Sequence, residues 1–111
     1  MRIHNLIKKY PDLLRKASLE INDGWCDLID DLCYNIQKYI DDNHLNQIYA
    51  IQVKEKFGGL RFYMDYEYDY VSALIDEAEG KSYRICIRCG STNDVKRNKI
   101  YTLCKNCNKK F

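Results

Sequence analysis

The chain has 111 residues, of which 46% are hydrophobic and 31% charged, and a formal net charge of +2. That length suits one compact domain, and the mixture excludes wholesale disorder. No apolar run approaches the roughly 20 residues of a membrane helix, and the first eight residues carry no apolar stretch of signal-peptide kind, so the expected setting is the cytosol, where thiols stay reduced.

In chain order, Ile3, Leu6, Ile7 and Tyr10 have helical spacing until Pro11 interrupts them, and Leu13, Leu14 and Ala17 resume it. Two short helices or one kinked helix are expected. Asn22-Asp23-Gly24 is a helix-start signal with Asp23 as N-cap. A helix over 24–42 follows, in which Trp25, Leu28, Ile29, Leu32, Cys33, Ile36, Tyr39 and Ile40 recur at three and four residues. Asp27, Asp30, Asp31, Gln37 and Lys38 occupy its other side. Cys26 and Cys33 share a face and read as small buried apolar residues rather than a second metal or redox pair.

Residues 49–64 carry period-two alternation on both sides of Gly58-Gly59, with Tyr49, Ile51 and Val53 before it and Leu60, Phe62 and Met64 after it. A β-hairpin is expected, its apolar face on the long helix. Lys54, Lys56, Arg61 and Tyr63 then line the outer face, which suits either a nucleic-acid contact or plain solvation. The two glycines lack the spacing of a phosphate loop. Asp65-Tyr66-Glu67-Tyr68-Asp69-Tyr70 alternates acids with tyrosines, a composition found both in binding surfaces and at a half-buried strand end; Tyr66 and Tyr68 are the candidate contacts. A helix over 70–79 follows on Val71, Leu74, Ile75 and Ala78, with Asp69 as cap and Gly80 as the terminating residue.

The last segment holds Cys86-x-x-Cys89-Gly90 and, after fourteen residues, Cys104-x-x-Cys107-Asn108. Two such pairs are the ligand pattern of a four-cysteine zinc site. Gly90 and Asn108 stand where each turn calls for a left-handed backbone. A four-thiolate site is closed, which favours one structural zinc over a catalytic one. Tyr83, Ile85 and Ile87 read as a strand into the first pair and Ile100–Leu103 as a strand into the second. With four residues after Cys107, a two-knuckle ribbon is expected rather than a unit closed by a long helix. His4 and His44 sit in polar contexts and read as surface residues. No nucleophile–base pair, carboxylate dyad or phosphate loop is present, so no enzyme is expected.

Charge divides with the elements. Residues 1–80 carry nine Lys/Arg and fifteen Asp/Glu, and residues 81–111 carry nine Lys/Arg and one acid. The expected architecture is therefore α+β: an acidic body of helices packed on a β-hairpin over 1–80, then a basic zinc ribbon over 81–111. Arg84, Arg88 and Lys105 are placed to offset the thiolates. Lys96, Arg97, Lys99, Lys109 and Lys110 remain to meet either the acidic body of the same molecule or an acidic partner.

Gly24-Trp25, Leu28-Ile29, Leu32-Cys33, the run Val53-Lys54-Glu55-Lys56-Phe57-Gly58-Gly59-Leu60-Arg61-Phe62-Tyr63 and the two cysteine pairs together resemble a family of small zinc proteins of phage and bacterial genomes. By size and metal site the chain is also similar to zinc-containing anti-CRISPR proteins, which block a Cas9-type effector. The resemblance implies a phage-encoded, non-enzymatic, monomeric protein that inhibits a host defence complex in the bacterial cytosol by binding its protein surface. The net positive charge speaks against wholesale DNA mimicry. The alternative is a nucleic-acid-binding zinc-ribbon regulator that uses its basic tail, with salt-dependent affinity.

Overall fold

The computed structural model describes residues 2–97 and 100–108. Pro11 does interrupt the opening helix: α1 spans Asn5–Lys9 and α2 spans Pro11–Leu14, with the proline at its first position, where no N–H is needed. Asp23 lies in a 3₁₀ turn, Asp23–Trp25, ahead of the long helix α3, Cys26–Asp42. Its carboxylate does not cap α3. It accepts the Ile3 N–H at 2.8 Å, tying the N-terminal segment to the start of α3.

Cys26, Ile29, Leu32, Cys33, Ile36 and Ile40 are the buried face of α3, at the spacing the sequence dictates. The same apolar cluster takes in Leu6, Leu13 and Leu14 from the first two helices. Tyr10, between those helices, donates its hydroxyl to the Asp30 carboxylate of α3 at 2.5 Å, and Lys9 reaches the same carboxylate at 2.9 Å.

The hairpin consists of β2, Ala50–Lys56, and β3, Gly59–Met64, paired antiparallel. Its register differs from the expected one at two places. Ala50 pairs with Met64 and Gln52 with Tyr63, so Ile51 is an extra residue, a β-bulge. The bulge lets Ala50 and Val53 both bury while Ile51 stays 45% exposed, where simple alternation placed it inside. The turn residues are Phe57 and Gly58, at φ +54° and +85°, rather than the two glycines. Both in the left-handed region make a two-residue turn of the type I′ kind, which matches the strand twist.

A short strand not anticipated from the sequence, β1, Ser18–Glu20, pairs parallel with β2 and completes a three-stranded sheet in the order β1-β2-β3. Helix α4 spans Asp69–Ser82 and runs through Gly80, the expected stop. The continuation has a use. Glu79 accepts the Phe62 N–H at 3.0 Å and Ser82 Oγ accepts the Leu60 N–H at 2.9 Å. The outer edge of β3, which has no neighbouring strand, is thereby satisfied by side chains of α4.

The C-terminal segment adds a two-stranded ribbon, β4 (Val95–Arg97) with β5 (Thr102–Cys104), and one helical turn, α5 (Lys105–Asn108). Residues 83–89 form turns rather than the expected strand. The apolar core is continuous from the body into this segment: Cys86, Ile87, Leu103, Cys104 and Cys107 belong to the same cluster as Trp25, Val53 and Phe62. Among the described residues, no helix is long and apolar enough to cross a membrane.

Candidate metal centre and the surface it supports

The Sγ atoms of Cys86, Cys89, Cys104 and Cys107 all lie within 4.8 Å of one another. The Cys89 and Cys104 sulfurs are 3.6 Å apart. A tetrahedral ion with metal–sulfur bonds of about 2.3 Å has its sulfurs about 3.8 Å apart, whereas a disulfide needs about 2.05 Å. The donor set, its spacing and its burial thus fit a thiolate-bound metal ion: Cys86, Cys104 and Cys107 are buried and only Cys89 is exposed.

Local backbone chemistry builds each half. After Cys86 the chain turns back so that the Gly90 N–H donates to the Cys86 carbonyl at 2.9 Å, and Gly90 takes φ +83°, as its position called for. The Cys86 N–H donates to the Ser91 carbonyl, and the Ile87 N–H donates to the Thr102 carbonyl of β5, so the first cysteine turn is bonded to the ribbon. The second pair stands at the end of β5 and in the single turn of α5, where the Cys107 N–H points at the Cys104 sulfur at 3.5 Å. Asn108 belongs to that helical turn and is not left-handed, contrary to expectation.

Without a cation, Cys86 and Cys107 are pulled in opposite directions. Burial raises Cys86, but backbone N–H donors of Cys104, Cys89 and Arg88 outweigh it and bring that thiol down to about 6. Cys107 is pushed up to about 12 by burial and by the neighbouring cysteines. One sulfur is readily ionised while another resists, and a bound cation would ionise the set together.

The centre is fastened to the body at three points. The Gly24 N–H donates to the Ile87 carbonyl at 2.9 Å, and a Cβ on Gly24 would lie 2.3 Å from the Cys86 carbonyl oxygen, so only glycine allows this approach. The Trp25 indole N–H donates to the Ile85 carbonyl at 2.9 Å, with the ring fully buried. At the hairpin tip, Thr102 Oγ1 donates to the Gly58 carbonyl at 2.5 Å and Arg97 Nε to the Phe57 carbonyl at 2.9 Å. Tyr83 fills the space over Gly59, and the Arg97 guanidinium lies 4.3 Å from the Tyr83 ring centre.

The candidate partner-binding residues divide into two places. Lys54 faces Arg61 across the hairpin, with Tyr63 next along β3 and Glu20 beside Lys54 on β1. Lys54 Nζ is 5.8 Å from the Tyr63 ring centre, and Lys56 Nζ is 5.9 Å from that of Phe57. Arg61 is partly engaged, donating to the Leu60 carbonyl at 2.8 Å and to the Tyr83 hydroxyl at 3.3 Å. Lys96 is exposed on β4, while Arg97 serves the hairpin tip as described. Tyr66 and Tyr68 lie beyond the other end of the hairpin. Their rings meet edge-on at 5.0 Å, and the Tyr68 hydroxyl donates to the Asn46 carbonyl at 3.0 Å, so Tyr68 is a structural contact and Tyr66 the exposed one. Lys99, Lys109 and Lys110 lie outside the described residues.

Sequence reasoning passed over Phe57. It is 63% exposed, the most exposed of the large apolar residues among the described residues, and sits at the tip between Lys56 and Gly58. The clue was available: a two-residue loop closing Lys56 against Gly59 makes Phe-Gly the turn, where Asn-Gly or Asp-Gly is the ordinary choice. No family model, curated protein or solved structure matches this chain.

Proposed function

We propose that the chain is a non-enzymatic binding protein in which one structural zinc ion, held by Cys86, Cys89, Cys104 and Cys107, fixes a ribbon that holds a hairpin tip ready for a protein partner. The observation that carries this reading is the pair of hydrogen bonds from the ribbon to the tip, Arg97 to the Phe57 carbonyl and Thr102 to the Gly58 carbonyl. A rigid, exposed aromatic beside lysines is the kind of anchor that dominates binding energy at interfaces. Taken with the resemblance to zinc-containing anti-CRISPR proteins, the partner is an effector of bacterial defence, a Cas9-type nuclease met in the host cytosol. Co-expression of the two should give a complex that survives gel filtration and blocks DNA cleavage, and Phe57→Asp with Lys56→Glu should dissolve it. No complex, together with no protection of a targeted phage, ends this reading.

The second reading, a nucleic-acid-binding regulator, draws on the same face, since Lys54, Lys56 and Arg61 stand with Tyr63 and Phe57 around one hairpin. Phosphate contacts would make affinity fall steeply with salt. Gel shifts at low and physiological salt separate the two readings, because nucleic-acid binding that persists at physiological salt favours the regulator.

A further inference from the structure

Away from the hairpin, the helices enclose a groove of about 600 Å³ between α3, α4 and the first cysteine turn. Its floor is apolar: Leu28 and Leu74 stay half-buried there although they belong to amphipathic helices packed on one core, and Ile85 closes the end. Its rim is acidic. Asp27 and Asp31 stand one turn apart on the exposed side of α3, and neither takes part in the three ion pairs found among the described residues. Glu77 on the opposite wall is already paired with Lys81 at 3.0 Å. The volume lies within the 300–1,000 Å³ of ordinary ligand pockets.

We propose that this groove docks a short segment of a partner protein that carries a large aliphatic or aromatic side chain flanked by lysine or arginine. The floor supplies apolar surface still partly wetted, which a buried side chain would dry. The carboxylates of Asp27 and Asp31, at the i, i+4 spacing, lie along one wall as a row that meets cationic side chains on either side of that anchor. The same carboxylates repel nucleic acid and anionic lipid, which separates this surface from the basic hairpin. Its end wall is the turn at Arg88–Gly90, joined to the 3₁₀ turn that leads into α3 by the neighbouring Gly24–Ile87 hydrogen bond.

The test is selection of a displayed random dodecapeptide library on the zinc-loaded full chain, followed by titration of the enriched synthetic peptides. Enriched peptides should place Lys or Arg around Leu, Ile or Phe. Their affinity should fall about tenfold or more with Asp27→Lys plus Asp31→Lys and stay unchanged with Phe57→Asn. Circular dichroism and zinc content report whether the double variant is folded. Should it not fold, Asp27→Asn plus Asp31→Asn with amide-shift mapping of the groove replaces it. Failure to enrich any peptide, enrichment of acidic or uncharged ones, or affinities indifferent to Asp27 and Asp31 would overturn the proposal.

Discussion

Phe57 holds a backbone conformation that its own side chain opposes. A left-handed residue other than glycine, asparagine or aspartate costs about 1–2 kcal/mol, and a phenyl ring 63% exposed recovers little of that by burial. Phe57→Asn should therefore raise stability by about 1 kcal/mol, read as a higher urea midpoint at unchanged slope, while weakening the partner complex. A stabler variant that binds as well would remove Phe57 from the interface. Two glycines make the opposite comparison. Gly24→Ala drives a methyl into the Cys86 and Ile87 carbonyls and should cost about 3 kcal/mol or more. Gly80→Ala meets open space inside α4 and should stabilise by about 0.5–1 kcal/mol. Denaturation of both variants checks the pair.

At the scale of elements, one carboxylate, Asp30, adds a polar link to the apolar packing of α1 and α2 on α3. Burial alone would raise Asp30, but the Tyr10 hydroxyl and the Lys9 ammonium prevail and hold it below the usual aspartate range. A depressed carboxylate contributes stability that is complete above its unfolded value and is lost as pH falls through the folded one. Tyr10→Phe should cost about 1–2 kcal/mol at neutral pH, and the difference from the parent should shrink below about pH 4. Denaturant titrations at pH 7 and pH 3 measure both. The four-cysteine cluster makes its own prediction at this scale. Cys86→Ser or Cys104→Ser should abolish metal binding worth roughly 10–16 kcal/mol in comparable small modules and unfold the ribbon; retention of one zinc per chain by atomic emission would refute the ligand assignment.

Elements whose signal is local were legible in the sequence. The buried stripe of α3 follows from side-chain spacing alone, and the four-cysteine cluster from the two pairs and their separation. The C-terminal end of α4 and the hairpin register were not, because tertiary contacts decide them. Gly80 reads as a stop until β3 needs Glu79 and Ser82, and Ile51 reads as a core residue until the bulge turns it out. Three apolar or polar residues, Ser18-Leu19-Glu20, give no strand signal of their own and become β1 only by pairing with β2.

For the molecule as a whole, the division into acidic body and basic ribbon describes the charge but not the packing. Cys86 and Leu103 share a cluster with Trp25, and the backbone of Gly24 is bonded to that of Ile87. Stripping the metal with a strong chelator should therefore speed amide exchange at Gly24 and Ile87 and loosen the hairpin tip, while amides of α3 around Ile29 and Ile36, which are fully buried, keep their protection. Loss of protection confined to residues 86–108 would show that the two parts are energetically separate.

The lid that α4 lays along β3 also bears on how copies of the chain treat one another. A sheet recruits further strands only where a row of amides and carbonyls is left open, and here one flank is already occupied by Glu79 and Ser82. The remaining flank is three residues long and ends in the charge of Glu20. Along this sheet cross-β stacking finds little to grip, so the hairpin should not seed fibrils in concentrated samples even though it is rich in β-forming residues.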